Sequence, residues 1–395
     1  MKLLHTSDWH LGQNFMSKSR LEEHEAFLGW LFEIIKDKKI DTIIVAGDIF
    51  DTSTPPNYAL ELYYNFLTKL CASGCKNIII IAGNHDSIAT LKAPKQLLKA
   101  LNVHVITSGD ESEDEIVKIY DKEKLEAIVC AVPFLRDYVV RESLSGESIE
   151  DKEDALSFGI KKHYQKLYKE ALTLKKEQNI PIIATGHLTT LGSKNSSSER
   201  DIYIGNTLNI DSGFLSDMFD YTALGHLHIN QRVGCDSVRY SGSPIPLGFS
   251  EASSQKKVNI VEFKDKKIDV EELNIPIFRK LLVCKGDMDE ILDAFEKITD
   301  KSGWIEVHLD DKNPFHANQV IRQRAKELGL SVLAIKSNLK VDSLKDGEFN
   351  NSTLDELSPL DVFKKRLQQE GMDDKDFEES LVSLFKEVQK EVLDR

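Results

Sequence analysis

The chain has 395 residues, 41% hydrophobic and 29% charged, with a formal net charge of −14. The length calls for two or three domains with a sizeable core, and no apolar run reaches membrane-spanning length. So acidic a balance excludes a free-standing nucleic-acid binder resting on a basic face; metal ions or a basic partner would have to supply positive charge.

In chain order, residues 1–8 read as a strand, 20–37 as a helix with apolar residues at helical spacing, 41–47 as a strand, 55–71 as a helix opened by prolines, and 78–82 as a strand of isoleucines. This alternation implies a parallel α/β arrangement. Shorter strands follow at 103–106, 116–120 and 126–132, then a long charged helix at 150–178. Buried strands 181–187 and 221–228 both end in histidine, and short strands alternate with turns from 229 to 274. A layered α/β/β/α sandwich with mixed sheets suits this mixture. After a composition shift near 274–280, the order strand, helix, strand, helix, strand over 279–338 forms a separate small α/β domain. The polar stretch that follows reads as a linker. Two amphipathic candidates close the chain at 359–369 and 376–393, the second with Phe377, Leu381, Leu384, Phe385, Val388 and Val392 on one face. The polar N-terminus predicts no secretory signal. The five cysteines, Cys71, Cys75, Cys130, Cys235 and Cys284, read as core thiols of a reducing cytoplasm.

The chemistry gathers at strand ends. "SDWH" supplies Asp8 and His10, "AGD" Asp48, "AGNH" Asn84 and His85, "TGH" His187, and "LGHLH" His226 and His228. Residues two apart on an extended chain point the same way, so Asp8 with His10, and His226 with His228, are expected to share directions. The glycines before four of these groups leave room for tight turns close to an ion. Strand tips at the carboxyl edge are where α/β folds place ligands. Seven oxygen and nitrogen ligands (Asp8, His10, Asp48, Asn84, His187, His226 and His228) suit two ions, with Asp48 as the bridge. With no thiolate in the set, manganese is the first choice, and iron, zinc or magnesium are the alternatives. Two ions about 3.5–4 Å apart suit phosphate-ester cleavage. His85 remains to donate to the phosphate or to protonate the leaving oxygen.

The ordered set "DWH…GD…GNHD…GH…GHLH" resembles the calcineurin-like metallophosphoesterase superfamily. The segments "GDIFDTSTPPNYA" (47–59), "AGNHDSIATL" (82–91), "IIATGHLTTLG" (182–192), "ERDIYIGN" (199–206) and "RYSGSPIPLGFSE" (239–251) resemble the bacterial SbcD family of nuclease subunits. The resemblance implies a four-layer α/β/β/α metallophosphoesterase nuclease domain over 1–275, a small α/β capping domain over 276–340, a linker over 341–358 and a helical tail over 359–395 that grips a partner. It implies a cytoplasmic, nucleoid-associated manganese nuclease of bacterial DNA repair, replication and recombination, acting as a 3′→5′ exonuclease on double strands and an endonuclease at hairpins and blocked ends. An SbcC-type ATPase would gate it, and the family implies a homodimer within a heterotetramer. Helix 55–71 and the loop near Phe15 are candidate dimer surfaces. Asp51 stands where archaeal and eukaryotic relatives usually carry His, which leaves it to tune a ligand or to shape the loop.

Other readings compete. A small-molecule phosphodiesterase would not need the 120 residues beyond the catalytic domain, and a scaffold that had lost its metals would not keep the whole ligand set. His5, His24, His104, His163, His308 and His316 read as packing or surface residues. Asp86 reads as a residue that caps or orients His85, with direct metal contact as the alternative. Trp9 and Phe15 suit the core better than DNA contact, "SPIPLGF" (243–249) is a loop near the site, and Arg200 and Asp201 are candidates to face DNA.

Overall fold

The computed structural model describes residues 1–110, 112–141, 148–194, 196, 198–199, 210–264, 267–311, 314–337, 381–382 and 384–385. The first half runs β1 (Lys2–Thr6), β2 (Asn14–Phe15), β3 (Lys18–Ser19), α1 (Leu21–Asp37), β4 (Thr42–Ala46), α2 (Asn57–Ser73), β5 (Asn77–Ile81), α3 (Ile88–Lys92), α4 (Lys95–Ala100), β6 (Val103–Ile106), α5 (Ser112–Glu115), β7 (Ile116–Asp121), β8 (Lys124–Cys130), α6 (Asp137–Val140) and α7 (Ile149–Lys175). Then come β9 (Ile182–His187), α8 (Gly213–Met218), β10 (Tyr221–Gly225), β11 (Gln231–Val233), β12 (Cys235–Tyr240), β13 (Lys257–Lys264) and β14 (Lys267–Asn274). A last group is β15 (Leu281–Gly286), α9 (Met288–Glu296), β16 (Trp304–Leu309), α10 (Pro314–Leu328) and β17 (Ser331–Ser337).

Two mixed six-stranded sheets have the orders β14-β13-β1-β4-β5-β6 and β11-β12-β10-β9-β8-β7. The isoleucine run of β5 shows why they stack. Successive strand residues face opposite ways. Ile78 and Ile80 pack under helices α1 and α2, while Ile79 and Ile81 pack against the other sheet. Ile43 and Val45 of β4 divide from Ile44 and Ala46 in the same manner. In the second sheet Ile128 and Ile182 face α7, whereas Val129 and Ile183 meet the first sheet. Helix, sheet, sheet, helix is the four-layer order expected from the sequence. Strands covered on both faces need apolar residues at every position, hence the continuous runs.

The small sheet β15-β16-β17 is parallel. Helices α9 and α10 cover one face around Ile291, Phe295, Ile305, Val307 and Ile321. Asp287 opens α9 through a reciprocal cap with Glu290. The small sheet joins the larger body through an aromatic seam. Phe15 stacks on Trp304, with centroids 5.5 Å apart and planes 7° off parallel, and Phe249 and Leu281 complete the patch. Buried Arg20 lies over both rings, and Arg279 lies 4.8 Å from the Trp304 centroid. Arg20 also donates to Glu23 and to the Pro246 carbonyl, which ties α1 to the 243–251 loop. Phe15 is thus a packing residue, and its side chain is not available as a dimer contact.

Trp9 is fully buried, edge-on to Phe27 and Phe66, with its indole N–H on Thr6 Oγ1 at 3.0 Å. The five cysteines are free thiols. Among the described residues no helix is long and apolar enough to cross a membrane. The expected linker over 341–358, Arg200 and Asp201 lie outside the described residues, as does the tail over 359–395 apart from Leu381, Val382, Leu384 and Phe385, which take helical backbone.

Truncating the seam tests its weight. Trp304→Ala should cost the small sheet about 3–5 kcal/mol, the usual range for removing a large buried aromatic. Hydrogen exchange should speed up across 281–337 and stay unchanged in β4 and β5. Equal acceleration in both regions would show that the seam does not act locally.

Candidate active site

β1, β4 and β5 run parallel in one sheet, and β9 and β10 run parallel in the other. Their carboxyl ends meet at one edge of the sandwich. Asp8 N–H donates to the Gly47 carbonyl and His10 N–H to the Asp48 carbonyl, each at 3.0 Å, so the first two loops are laced together. His187 Nδ1 donates to the Ala46 carbonyl at 3.0 Å, which joins the second sheet to the first. The glycines serve this lacing. A Cβ on Gly225 would collide with the Ala46 carbonyl, and one on Gly83 with the Asp48 carboxylate. The room they leave is taken by neighbouring loops.

All eight residues singled out in the sequence come together here. Ligand-type atoms of Asp8, His10 and His228 lie within 4.8 Å of one another, and so do those of Asp48, His187 and His226. Asn84 Oδ1 is 2.9 Å from His187 Nε2, beside the second group. Asp48 Oδ2 lies 3.6 Å from His10 Nε2 and 3.3 Å from His187 Nε2, one histidine of each group. The His10 and His85 rings meet edge to face at 4.8 Å.

The alternation argument needs correction. β1 ends at Thr6 and β10 at Gly225, so the ligand pairs lie beyond their strands. Asp8, His10, Asp48 and His226 have φ of 52°, 46°, 48° and 97°. Asp8 and His10 do share a group, but through left-handed backbone. His226 and His228 part company, one to each group. Left-handed backbone costs a residue with a Cβ about 1–2 kcal/mol, and such strain concentrates at functional positions.

The electrostatics favour cations. Burial raises the Asp8 carboxyl above its ordinary value against the pull of His187 and His228. Burial also opposes charge on Asp48, but His187 and His10 hold that carboxyl well below the usual range. His187 is lowered by burial, yet the Asp48 charge carries it up to about 9. Burial and the neighbouring His187 keep His226 well below the ordinary imidazole value. Neither ring nitrogen of buried His10 makes a hydrogen bond of good geometry, though Asp51 Oδ1 lies 3.3 Å from Nδ1. Two buried carboxylates among inward-facing imidazoles and an amide oxygen are a donor set that fits hard or borderline divalent ions.

Several residues support the site, two of them, Asp51 and Asp86, with readings from the sequence, and two, Glu251 and Lys256, without. Asp51 places its carboxylate beside His10 and accepts from His85 Nδ1 through its main-chain carbonyl at 2.7 Å. Asp86, expected to cap or orient His85, turns its carboxylate to main-chain N–H groups. Its carboxylate accepts from the N–H groups of Ile49, Phe50 and Gly83 at 3.1, 3.0 and 2.8 Å, clasping the Asp48 and Asn84 loops together. Burial, then the Asp48 charge, pushes it up to about 6. Glu251, at the end of the "SPIPLGFSE" segment, sits 3.4 Å from His228 Nδ1 and pairs with buried Lys256. Burial opposes its charge, but His228 and Lys256 hold its carboxyl below the ordinary value.

Asp86→Ala orphans three buried N–H groups. It should lower stability by about 2–4 kcal/mol and weaken binding of divalent ions, read by denaturant unfolding and calorimetric titration. Wild-type stability in the variant would show that the clasp carries no load.

Residues 1–230 match the calcineurin-like phosphoesterase family model, and residues 277–371 match a model described as the type 5 capsule protein repressor C-terminal domain. The SbcD subunit of nuclease SbcCD from Escherichia coli K12 is 40% identical over 95% of this chain and 94% of its own length. The SbcD subunit from Bacillus subtilis is 31% identical over 83% of this chain and 84% of its own. The corresponding protein of Rhodobacter capsulatus is 33% identical over 66% of each. With its ligand groups at the meeting edge of two mixed sheets, the chain belongs to the calcineurin-like phosphoesterases and, within them, to the SbcD family of SbcCD nuclease subunits.

Proposed function

We propose that this chain is the manganese-dependent nuclease subunit of an SbcCD-like complex, degrading double-stranded DNA from 3′ ends and cutting hairpins and blocked ends under the control of an SbcC-type ATPase. One observation carries the reading: two ligand groups share Asp48 and have His85 beside them, in a chain 40% identical to an SbcCD nuclease subunit across 95% of its length. Asp8, His10 and His228 would hold one ion, Asn84, His187 and His226 the other, and Asp48 both. When bound, two such ions polarise the phosphoryl oxygens and stabilise the charge of an in-line displacement.

The chain's own residues do the rest. A carbonyl can only accept, so the Asp51 carbonyl fixes the proton of His85 on Nδ1. Nε2 is then the nitrogen that exchanges a proton, and its protonated form can supply the leaving oxygen. Asp51 also flanks His10, so one short loop orients a ligand and the proton donor together. The division into a nuclease domain (1–275), cap (276–340), linker (341–358) and partner-binding tail (359–395) belongs to the same proposal. So do assembly as a homodimer within a heterotetramer and action in the cytoplasm at the nucleoid.

A nuclease assay on linear and hairpin double-stranded DNA, in manganese, magnesium or EDTA and with or without the ATPase partner and ATP, tests the reading. Manganese-dependent cutting of linear ends, extended to the hairpin by the partner and ATP, is expected. DNA left intact in every condition while a small phosphodiester is hydrolysed would retain the metal centre and remove the DNA reading. Single variants separate the roles. His85→Ala should keep both manganese ions by calorimetry and lose about 10²–10⁴-fold in turnover, while Asp48→Ala should lose both ions. Loss of manganese from His85→Ala would overturn the role given to His85.

A further inference from the structure

The two ligand groups are supported differently. His187 is oriented by a neutral carbonyl, that of Ala46. His228 is oriented by a buried ionic network that closes the "SPIPLGFSE" loop. Resting on the two-ion reading above, we propose that Glu251, acting through the Ser198 hydroxyl, is the positioning residue that sets the ring of His228 and thereby the affinity of one ion site alone.

The donor directions follow from the chemistry of the groups. The Glu251 carboxylate is 1% exposed and can only accept. Its Oε2 accepts from Leu247 N–H at 3.1 Å and from the Lys256 ammonium. Its Oε1 accepts from Ser196 Oγ at 2.9 Å and from Ser198 Oγ. With the Ser198 proton directed at Glu251, the Ser198 oxygen is left to accept, and His228 Nδ1 lies 2.7 Å from it. Nδ1 therefore carries the hydrogen, and Nε2 keeps its lone pair for an ion at the Asp8 and His10 group. The chain of donors runs one way, from imidazole to hydroxyl to carboxylate.

Lys256 anchors the far end. Its three donors go to Glu251, to Ser243 Oγ at 2.9 Å and to the His228 carbonyl at 3.0 Å. His228 N–H donates to Glu199 Oε1 at 2.8 Å. The residue is thus held at its amide, its carbonyl and its ring. Arg20 fixes the same loop from outside by donating to the Pro246 carbonyl at 2.6 Å. A carboxylate behind a ligating histidine fixes its tautomer and raises its basicity, and losing such a partner typically costs 10–100-fold in metal affinity.

The test is a manganese titration of the full chain, without DNA, followed by calorimetry and by the electron paramagnetic resonance of bound manganese. Wild type should bind two ions. Ser198→Ala and Glu251→Gln should each keep one ion at wild-type affinity and bind the other about 10–100-fold more weakly. Ser198→Thr, which restores the hydroxyl, should recover both. If Glu251→Gln fails to fold, Ser198→Ala carries the test, since it leaves the Glu251–Lys256 pair in place. Variants that hold both ions like wild type, or that lose both equally, would overturn the assignment while leaving the two-ion reading intact. A wild-type chain that binds fewer than two ions would remove that reading and this one with it.

Discussion

Two carboxylates, Asp8 and Asp48, stand out of water where the carboxyl ends of two sheets meet. Much of the local structure answers that burial. An ionised carboxylate without partners in a low-dielectric interior is very costly, and each of these is partly met by the main chain. Asp8 accepts from the His226 N–H and from Ser7 Oγ, and Asp48 Oδ1 from the His85 N–H. Asp48 Oδ2 faces histidines of both ligand groups and is the atom through which the groups touch. The two sheets cannot slide relative to one another without breaking these bonds, so the metal centre and the sandwich are one design.

The same burial explains the backbone. Bringing loops from two sheets onto one point requires the chain to turn sharply at the ligands themselves. Asp8, His10, Asp48 and His226 accept positive φ to do so. At about 1–2 kcal/mol each, that strain rivals the net stability of a domain, and it persists because the surroundings over-determine it. The isoleucine and valine runs of β4 and β5 are covered on both faces, the Asp86 clasp joins two of the loops, and glycine at 83 and 225 removes the side chains that would hold the loops apart.

What the sequence disclosed divides along physical lines. Continuous apolar runs that end abruptly in Asp, Asn or His were legible, because burial on both faces leaves an unbroken signature and polar residues at such ends lack a packing reason. The layer order followed, and so did the convergence of eight candidate residues on one edge. The pairing of those residues into groups did not. Alternation holds only within a strand, and β10 stops at Gly225, one residue before His226. Nor could Glu251, Lys256 or Arg20 be told from the many charged residues of an acidic surface, since burial of a charge is decided by distant partners. Glu251 is answered by a lysine five residues on and a histidine 23 positions back. Trp304 and Phe15 are two unrelated aromatics in the sequence until the chain brings them face to face.

The acidic balance of the chain and a phosphate-cleaving centre act over different ranges. At physiological ionic strength, charges more than about 8 Å apart across solvent are largely screened, so the excess of 65 acidic over 51 basic residues is a weak, diffuse field at the centre. What a phosphodiester meets there is the local set. That set pairs the Asp48 carboxylate with the His187 imidazole, whose pKa the same carboxylate carries up to about 9, so it offers a phosphodiester little net positive charge of its own. On the two-ion reading, ions held there would supply the anion affinity, and by linkage a bound phosphodiester would tighten their hold by the same factor.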